Sequence, residues 1–134
     1  MKLVDVHDRP VALVVLYALL RERQPHVSIS HREMPTFDEH ERFVRSRPYA
    51  HWYLIEVEDK YIGAIYLTHN DEIGIHIFGG SQDKGHGHAA VALLMKAHPR
   101  KRYLANINPA NKRARSFLES IGFHALQETL EFTP

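Results

Sequence analysis

Cysteine does not occur anywhere in the 134 residues, so disulfide staples, thiolate-bound zinc and cysteine nucleophiles are all out of reach. A reducing, cytoplasmic setting is the natural expectation. An excess of one charge is missing too: 17 Lys and Arg face 16 Asp and Glu for a net +1, which is not the cationic balance of a dedicated nucleic-acid binder. Any recognition of phosphate has to be local. The longest apolar run, Val11 to Leu20, has ten residues, whereas a membrane-spanning helix needs about 20. A secretory leader is not expected either, because Asp5 and Asp8 stand where its cationic stretch belongs. Glycine and proline, seven of each, are scattered without forming a linker, and no repeat is visible, so residues 1–134 should form a single domain.

The apolar residues that are present, 44% of the chain, fall into recognisable periods. Met1 to Val6 reads as a short first strand. Asp8 as N-cap and Pro10 in the first turn open a helix that Gln24-Pro25 should close. Thr36-Phe37-Asp38-Glu39 has the form of a capping box and starts a second helix that Arg47-Pro48 ends. Three strands follow, Trp52 to Glu58, Tyr61 to Thr68 and Glu72 to Phe78, with turns at Glu58-Asp59-Lys60 and His69-Asn70-Asp71. His86 to His98 is rich in helix formers and stops at Pro99. Tyr103 to Ile107 should then be strand, Asn111 to Ser120 a helix ended by Gly122, and Gln127 to Phe132 a last strand. The order β-α-α-β-β-β-α-β-α-β predicts an α+β domain with a mixed central sheet and helices over both its faces.

Between the strand Glu72 to Phe78 and the helix from His86 lies Gly79-Gly80-Ser81-Gln82-Asp83-Lys84-Gly85-His86-Gly87. Glycines let a ligand approach the backbone, and a helix opening at Gly85 to Gly87 points unpaired N–H groups and its positive dipole end outward, a setting suited to a pyrophosphate. Neither the G-x-x-x-x-G-K-[ST] loop nor a G-x-G-x-x-G with its ribose-binding acid is present, so nucleotide hydrolysis is not expected. A plain glycine-rich turn is the bland alternative. Seven of the 17 basic residues, Lys96, Arg100, Lys101, Arg102, Lys112, Arg113 and Arg115, fall in twenty positions that contain no acid. They suit a local anion site, a solvated basic face or an RNA contact.

Gln82-x-x-Gly85-x-Gly87 resembles the coenzyme-A loop, Q/R-x-x-G-x-G/A, of the GNAT N-acetyltransferase superfamily. Asn106-Ile107-Asn108-Pro109-Ala110-Asn111, followed by a helix ending in Gly122-Phe123, resembles that family's second signature, and 24 positions separate Gln82 from Asn106. With the element order, the resemblance covers Val6 to Phe132. It implies a GNAT-like sheet splayed between its fourth and fifth strands, with acetyl-CoA as cosubstrate in the cleft. By the same resemblance, the backbone of Ile75, Ile77 and Gly79 meets the pantetheine arm, and Gln82, Asp83, Lys84, Gly85, His86, Gly87 and His88 surround the pyrophosphate. Asn108, Asn111 and Phe117 match coenzyme-lining positions, and Lys84, Lys112 or Arg115 can meet the 3′-phosphate. Two departures stand out. Gly79 replaces a common proline, and Leu118 occupies the place of the usual tyrosine general acid, so that catalysis either proceeds without an acid, a CoA thiolate being a tolerable leaving group, or uses Tyr103 or Tyr66 instead.

Acetyl transfer to a primary amine requires a group that removes its proton, since such an amine has a pKa near ~10. Glu72 and His76 share one face of their strand with Gly74, opposite Ile73, Ile75 and Ile77, and are the catalytic candidates, Glu72 first. Glu33 is a third. No metal is expected despite eleven histidines, because His86 and His88 at i, i+2 face apart and no helical H-x-x-x-H occurs. The acceptor stays open among amino sugars, small amines and protein or peptide amines; Ser30 to Val44 faintly resembles the branch that acetylates nucleotide-linked amino sugars. Other readings are a non-catalytic acyl-CoA-binding module of the same fold and, against the net charge, an RNA-facing domain. No membrane partner is expected, and a homodimer is compatible with the sequence.

Overall fold

The computed structural model describes residues 1–23 and 33–134. Its sheet has four strands in the order β1 (Lys2–Asp5), β2 (His51–Val57), β3 (Lys60–Leu67) and β4 (Ile73–Ile77), each antiparallel to the next. The β2–β3 hairpin turns on Glu58 and Asp59, both left-handed at φ 51° and 63°, the two-residue geometry that matches strand twist. A bulge at Ile55/Glu56 accommodates one extra residue, Ile62. The helices are α1 (Ala12–Glu22), α2 (Phe37–Arg45), α3 (His86–Ala97) and α4 (Lys112–Ile121).

Alternation along the strands divides the core in two. Trp52, Leu54 and Ala64 pack with Val6, Leu16 and Leu19 under α1 and α2, while Ile55, Ile65, Leu67 and Ile73 pack with Ala90, Val91 and Leu94 under α3. Neighbouring Leu54 and Ile55, both fully buried, face opposite layers, as a strand covered on both sides requires. Helices thus cover both faces of an α+β sheet, as expected.

Several boundaries differ from the sequence expectation. Asp8 does not cap α1. Instead Asp5 accepts from the His7 N–H at 2.8 Å and caps a 3-10 turn over Val6–Asp8, and α1 begins after Val11 with backbone bonds alone at its start. It ends at Glu22; Gln24 and Pro25 lie outside the described residues, as do Ser30 to Arg32. The capping box is present, Thr36 Oγ1 accepting from the Glu39 N–H and Glu39 accepting from the Thr36 N–H. The expected strand Tyr103 to Ile107 shrinks to one parallel bridge, Glu72 with Leu104. Beyond it the side chain of Asn106 bonds to the Glu72 carboxylate and the chain turns at Asn108, so the ladder does not continue. The mixed character of the sheet rests on that one bridge. Gln127 to Phe132 forms no strand and is exposed along its length.

Burial holds four histidines below their ordinary pKa. For His40 a hydrogen bond from its ring to the Leu13 carbonyl opposes the shift; for His51 and for His76 a nearby arginine, Arg100 and Arg23 respectively, reinforces it; for His98 it is the stacked ring of His51, 3.5 Å away. Nδ1 of His40 is buried with no partner among the described residues, so a second proton there would be unsatisfied. The folded state therefore binds fewer protons than the unfolded chain once the pH falls below the free-histidine value of about 6.5. Stability is expected to be full above that value and to decline below it. A calorimetric Tm lower by roughly 5 °C or more at pH 5.5 than at pH 7.5 is the expected outcome, and a flat profile would contradict it.

Candidate functional site

The single bridge to Leu104 is what opens the site. The Ile73 N–H donates to the Leu104 carbonyl at 2.7 Å, which fixes the N–H groups of Ile73, Ile75 and Ile77 on the outer edge of β4. The Phe78 N–H, on the opposite phase, donates to Ile62 of β3. From Ile75 onward the outer edge has no neighbouring strand among the described residues, so an amide-bearing chain can pair there. At its far end the Gln82 side-chain amide donates to the Ile77 carbonyl at 2.8 Å, folding the glycine loop back on the strand.

That loop delivers the start of α3. Gly79–Ser81 makes a 3-10 turn, Asp83 is left-handed at φ 62°, and Gly85 at φ 80° serves as N-cap. No side chain caps the helix, so its first N–H groups and positive dipole end face outward. Arg113 of α4 donates to Asp83 at 2.8 Å and ties the loop to the neighbouring helix, while Lys84 is exposed. Gly87 faces α4: a Cβ there would lie 2.8 and 2.9 Å from ring atoms of Phe117. His88 turns away from the loop, its Nε2 hydrogen-bonded to Ser120 at 2.8 Å and its ring edge-on to Phe117. His86 is half-buried at the helix start. Asn108 and Asn111 serve the local turn: Asn108 Oδ1 accepts from the Ala110 N–H, and Asn111 caps α4 by accepting from the Ala114 N–H. Ile75 and Ile77 point their side chains into the α3/α4 layer and leave their backbone to the edge.

The other face of β4 carries Glu72, Gly74 and His76, as alternation predicts, yet the two candidate bases are not together. Four residues of strand, about 13 Å, separate them. Both Glu72 carboxylate oxygens have partners, the Thr68 hydroxyl at 3.1 Å and the Asn106 amide at 2.6 Å. His76 instead faces the end of α1, with its Nε2 3.6 Å from Glu22 Oε1, the same oxygen that accepts from the Gly79 N–H at 2.8 Å. Burial first, then the Arg23 guanidinium, push the His76 imidazole below its ordinary pKa, and the Glu22 carboxylate acts against both. His76 is thus neutral at pH 7, and the neighbouring carboxylate favours the proton on Nε2 and the lone pair on Nδ1.

Tyr66 fills the space between the two. Its phenol lies directly over Gly74, where any Cβ would collide with it, and its ring stacks on Tyr49 at 3.9 Å. Burial keeps both phenols protonated, Tyr49 more strongly than Tyr66. Tyr103, by contrast, is engaged at the far end of α3 with the carbonyls of His98 and Met95 and does not face this surface. Glu33 is exposed in a bend. Sequence reasoning did not single out Glu22, Arg23 or Tyr49. Glu22 lies 57 positions before Gly79, and no local pattern marks it; only Gly74, paired with Tyr66 across the ladder, hinted at a close approach. Among the described residues no group of three or more His, Asp or Glu is placed to hold a metal, and no helix is long and apolar enough to cross a membrane.

Compared with known proteins, residues 13–123 match the Acetyltransferase (GNAT) family. The fold is similar to the crystal structure of a domain from Methanocaldococcus jannaschii DSM 2661, with a TM-score of 0.73, 21% identity and coverage of 92% of this chain and 88% of that one. It is also similar to a protein from Streptococcus mutans UA159, with a TM-score of 0.69 and 16% identity over 92% of this chain and 84% of that one. Among curated proteins none matches the chain significantly.

Proposed function

Because the chain belongs to the GNAT acetyltransferase family, we propose that it moves an acetyl group from acetyl-CoA to a primary amine by direct attack, without a covalent enzyme intermediate. One observation carries this reading: the unpaired outer edge of β4 leads straight to an uncapped, glycine-led helix start. A strand edge suits the amides of pantetheine and the helix start suits a pyrophosphate, so the residues present fit the coenzyme. Ile75 and Ile77 would hold the arm by their backbone, while Gly79, whose N–H donates to Glu22 and whose carbonyl accepts from the Gln82 N–H, would shape the turn beside it; Gln82 to Gly87 would surround the pyrophosphate, with Lys84, Lys112 or Arg115 at the 3′-phosphate. The coenzyme, when bound, supplies a thioester whose thiolate is a tolerable leaving group.

This chain's residues then do three things. His76 accepts the proton that the amine loses as its nitrogen bonds to the acetyl carbon, using Nδ1. Glu22 holds the imidazole in that tautomer and steadies the imidazolium that results, so it is a positioning residue. The Tyr66 phenol, kept protonated over Gly74, is the donor available to the departing sulfur in place of the acid that Leu118 cannot supply. Glu72, bound on both oxygens, organises the strand end and the Asn106 turn.

Leu118 also favours a second reading. It is buried in α4 at 9% exposure, and a chain without the usual acid could bind acyl-CoA and not turn it over. One experiment separates the two. Acetyl-CoA at millimolar concentration is expected to raise the Tm by several degrees, and a panel of amines is expected to release free CoA thiol at a steady rate with at least one member. A thermal shift without any release supports the binding module, and no shift with any acyl-CoA overturns both.

A further inference from the structure

The end of α1 brings two opposite charges to the face of β4 that carries His76, and only one of them is engaged. Glu22 Oε1 lies 3.6 Å from His76 Nε2 and accepts from the Gly79 N–H at 2.8 Å. Arg23, the next residue, closes the helix by donating its backbone N–H to Leu20, and its side chain is exposed. No carboxylate stands in ion-pair reach of it among the described residues. Nor does the adjoining sequence supply one, since residues 24–32 include Arg32 and two histidines but no Asp or Glu. Arg21 is placed differently, over the Tyr17 ring with 5.5 Å to its centroid.

An exposed arginine is ordinarily a solvated one, but this guanidinium overlooks half-buried groups. Burial raises the Tyr49 and Tyr66 phenols and lowers the His76 imidazole, and Arg23 acts on all three, against burial on the phenols and with it on the imidazole. Its charge weighs on His76 no less than the Glu22 carboxylate 3.6 Å away, which places the guanidinium close to the imidazole. The rest of the surface offers it no counter-charge. The stacked Tyr49 and Tyr66 rings form an uncharged floor over Gly74, and the Glu72 carboxylate beyond them is bonded to Thr68 and Asn106. A planar guanidinium with free N–H donors beside an aromatic floor and a neutral imidazole suits a carboxylate or phosphoryl oxyanion.

We propose that the acceptor is a primary amine that also carries an oxyanion, and that Arg23 is the specificity-determining residue that holds the oxyanion while the amine faces Nδ1 of His76. This inference deepens the acetyltransferase reading and rests on it. Because Glu22 and Arg23 are consecutive and both meet His76, the two groups of the acceptor are only a few bonds apart, as in an α- or β-amino acid. The transfer itself is unchanged: the N–C bond forms, the C–S bond of the thioester breaks, His76 takes the amine's proton and the thiolate leaves, with the oxyanion a spectator. Its arrival nevertheless helps the base. By screening the Arg23 charge it lets the imidazole regain proton affinity, so the correct acceptor strengthens the group that serves it.

Release of CoA thiol from acetyl-CoA is compared for glycine, β-alanine and 2-aminoethylphosphonate against glycinamide, β-alaninamide and ethanolamine. The anionic set should have a kcat/KM about tenfold higher or more, even though the carboxamides are weaker bases and so more of their amine is neutral at pH 7. The phosphonate against the two carboxylates tells which oxyanion the site takes. Arg23→Gln should cut the ratio of anionic to neutral kcat/KM about tenfold or more, acting through KM, and Arg23→Lys should recover part of it. A preference for the neutral set, or equal changes on both sets in Arg23→Gln, overturns the proposal and leaves the acetyltransferase reading intact. Binding is read without turnover: N-acetylglycine should shift the His76 imidazole resonances and raise the pH at which they titrate, N-acetylglycinamide should do neither, and Arg23→Gln should abolish the response. Where no amine here or in the wider panel releases thiol, the acetyltransferase reading is what fails, and the oxyanion site is then overturned only by an absent response to N-acetylglycine.

Discussion

Replacing His76 by Gln is expected to lower turnover at neutral pH by about 10²-fold or more while acetyl-CoA affinity changes less than threefold. The amide cannot take the amine's proton, yet it nearly preserves the volume beside Glu22 and Tyr66. The loss should shrink at high pH, where the acceptor amine is already neutral. Glu72→Gln should cost much less, since the Thr68 hydroxyl and Asn106 amide already occupy both carboxylate oxygens. Glu22→Gln is the informative companion. It retains an oxygen for the Gly79 N–H but removes the negative charge 3.6 Å from His76. The Glu22 carboxylate raises the His76 pKa against burial and Arg23, so its neutralisation should move the acid limb of the kcat/KM profile to lower pH. A Glu22 that only props up the loop would leave that limb in place, and the imidazole shifts of His76, followed by NMR without any substrate, should show the same displacement. If Glu72→Gln carries the large loss and His76→Gln does not, the base assignment reverses.

The second large effect is expected at Gly87. Gly87→Val should raise the acetyl-CoA dissociation constant by tenfold or more, which is about 1.4 kcal/mol, measured by calorimetric titration. Two causes act together. A branched side chain at the helix start obstructs the approach of a phosphate to the backbone. The Cβ also meets the Phe117 ring at 2.8 and 2.9 Å, so α4 must shift or the ring must turn, and the Tm should fall as well. Gly80→Ala is the matched control, because its position is open on all sides and its φ is not left-handed. It should bind acetyl-CoA within twofold of the parent. Equal losses at Gly80 and Gly87 would mean that the loop is merely sensitive to any substitution.

Much of this architecture is written locally. The Thr36 capping box, the left-handed Glu58-Asp59 turn, the helix formers after Gly85 and the polar-apolar alternation of Glu72 to Ile77 each act over a few residues, so their patterns are legible without the rest of the fold. The glycine loop is legible for the same reason: a backbone that must turn sharply leaves its mark in residue type. What the sequence could not decide was every feature made by distant partners. A strand persists only where the chain keeps running beside an edge, so 103–107 shortened to a bridge at Leu104 once Asn106 bonded to Glu72 and the chain turned at Asn108, and Gln127 to Phe132 pairs with no strand among the described residues, although both have good strand composition. The choice between Glu72 and His76 was equally tertiary. Both sit on the predicted face, but Thr68 and Asn106 engage one, and the end of α1, brought across the sheet by burial of Leu16 and Leu19, sets Glu22 and Arg23 against the other. Composition and period determine which residues form elements and which way they face; only packing, by bringing charges far apart in the chain to within a few ångströms, determines which groups each of two similar candidates meets.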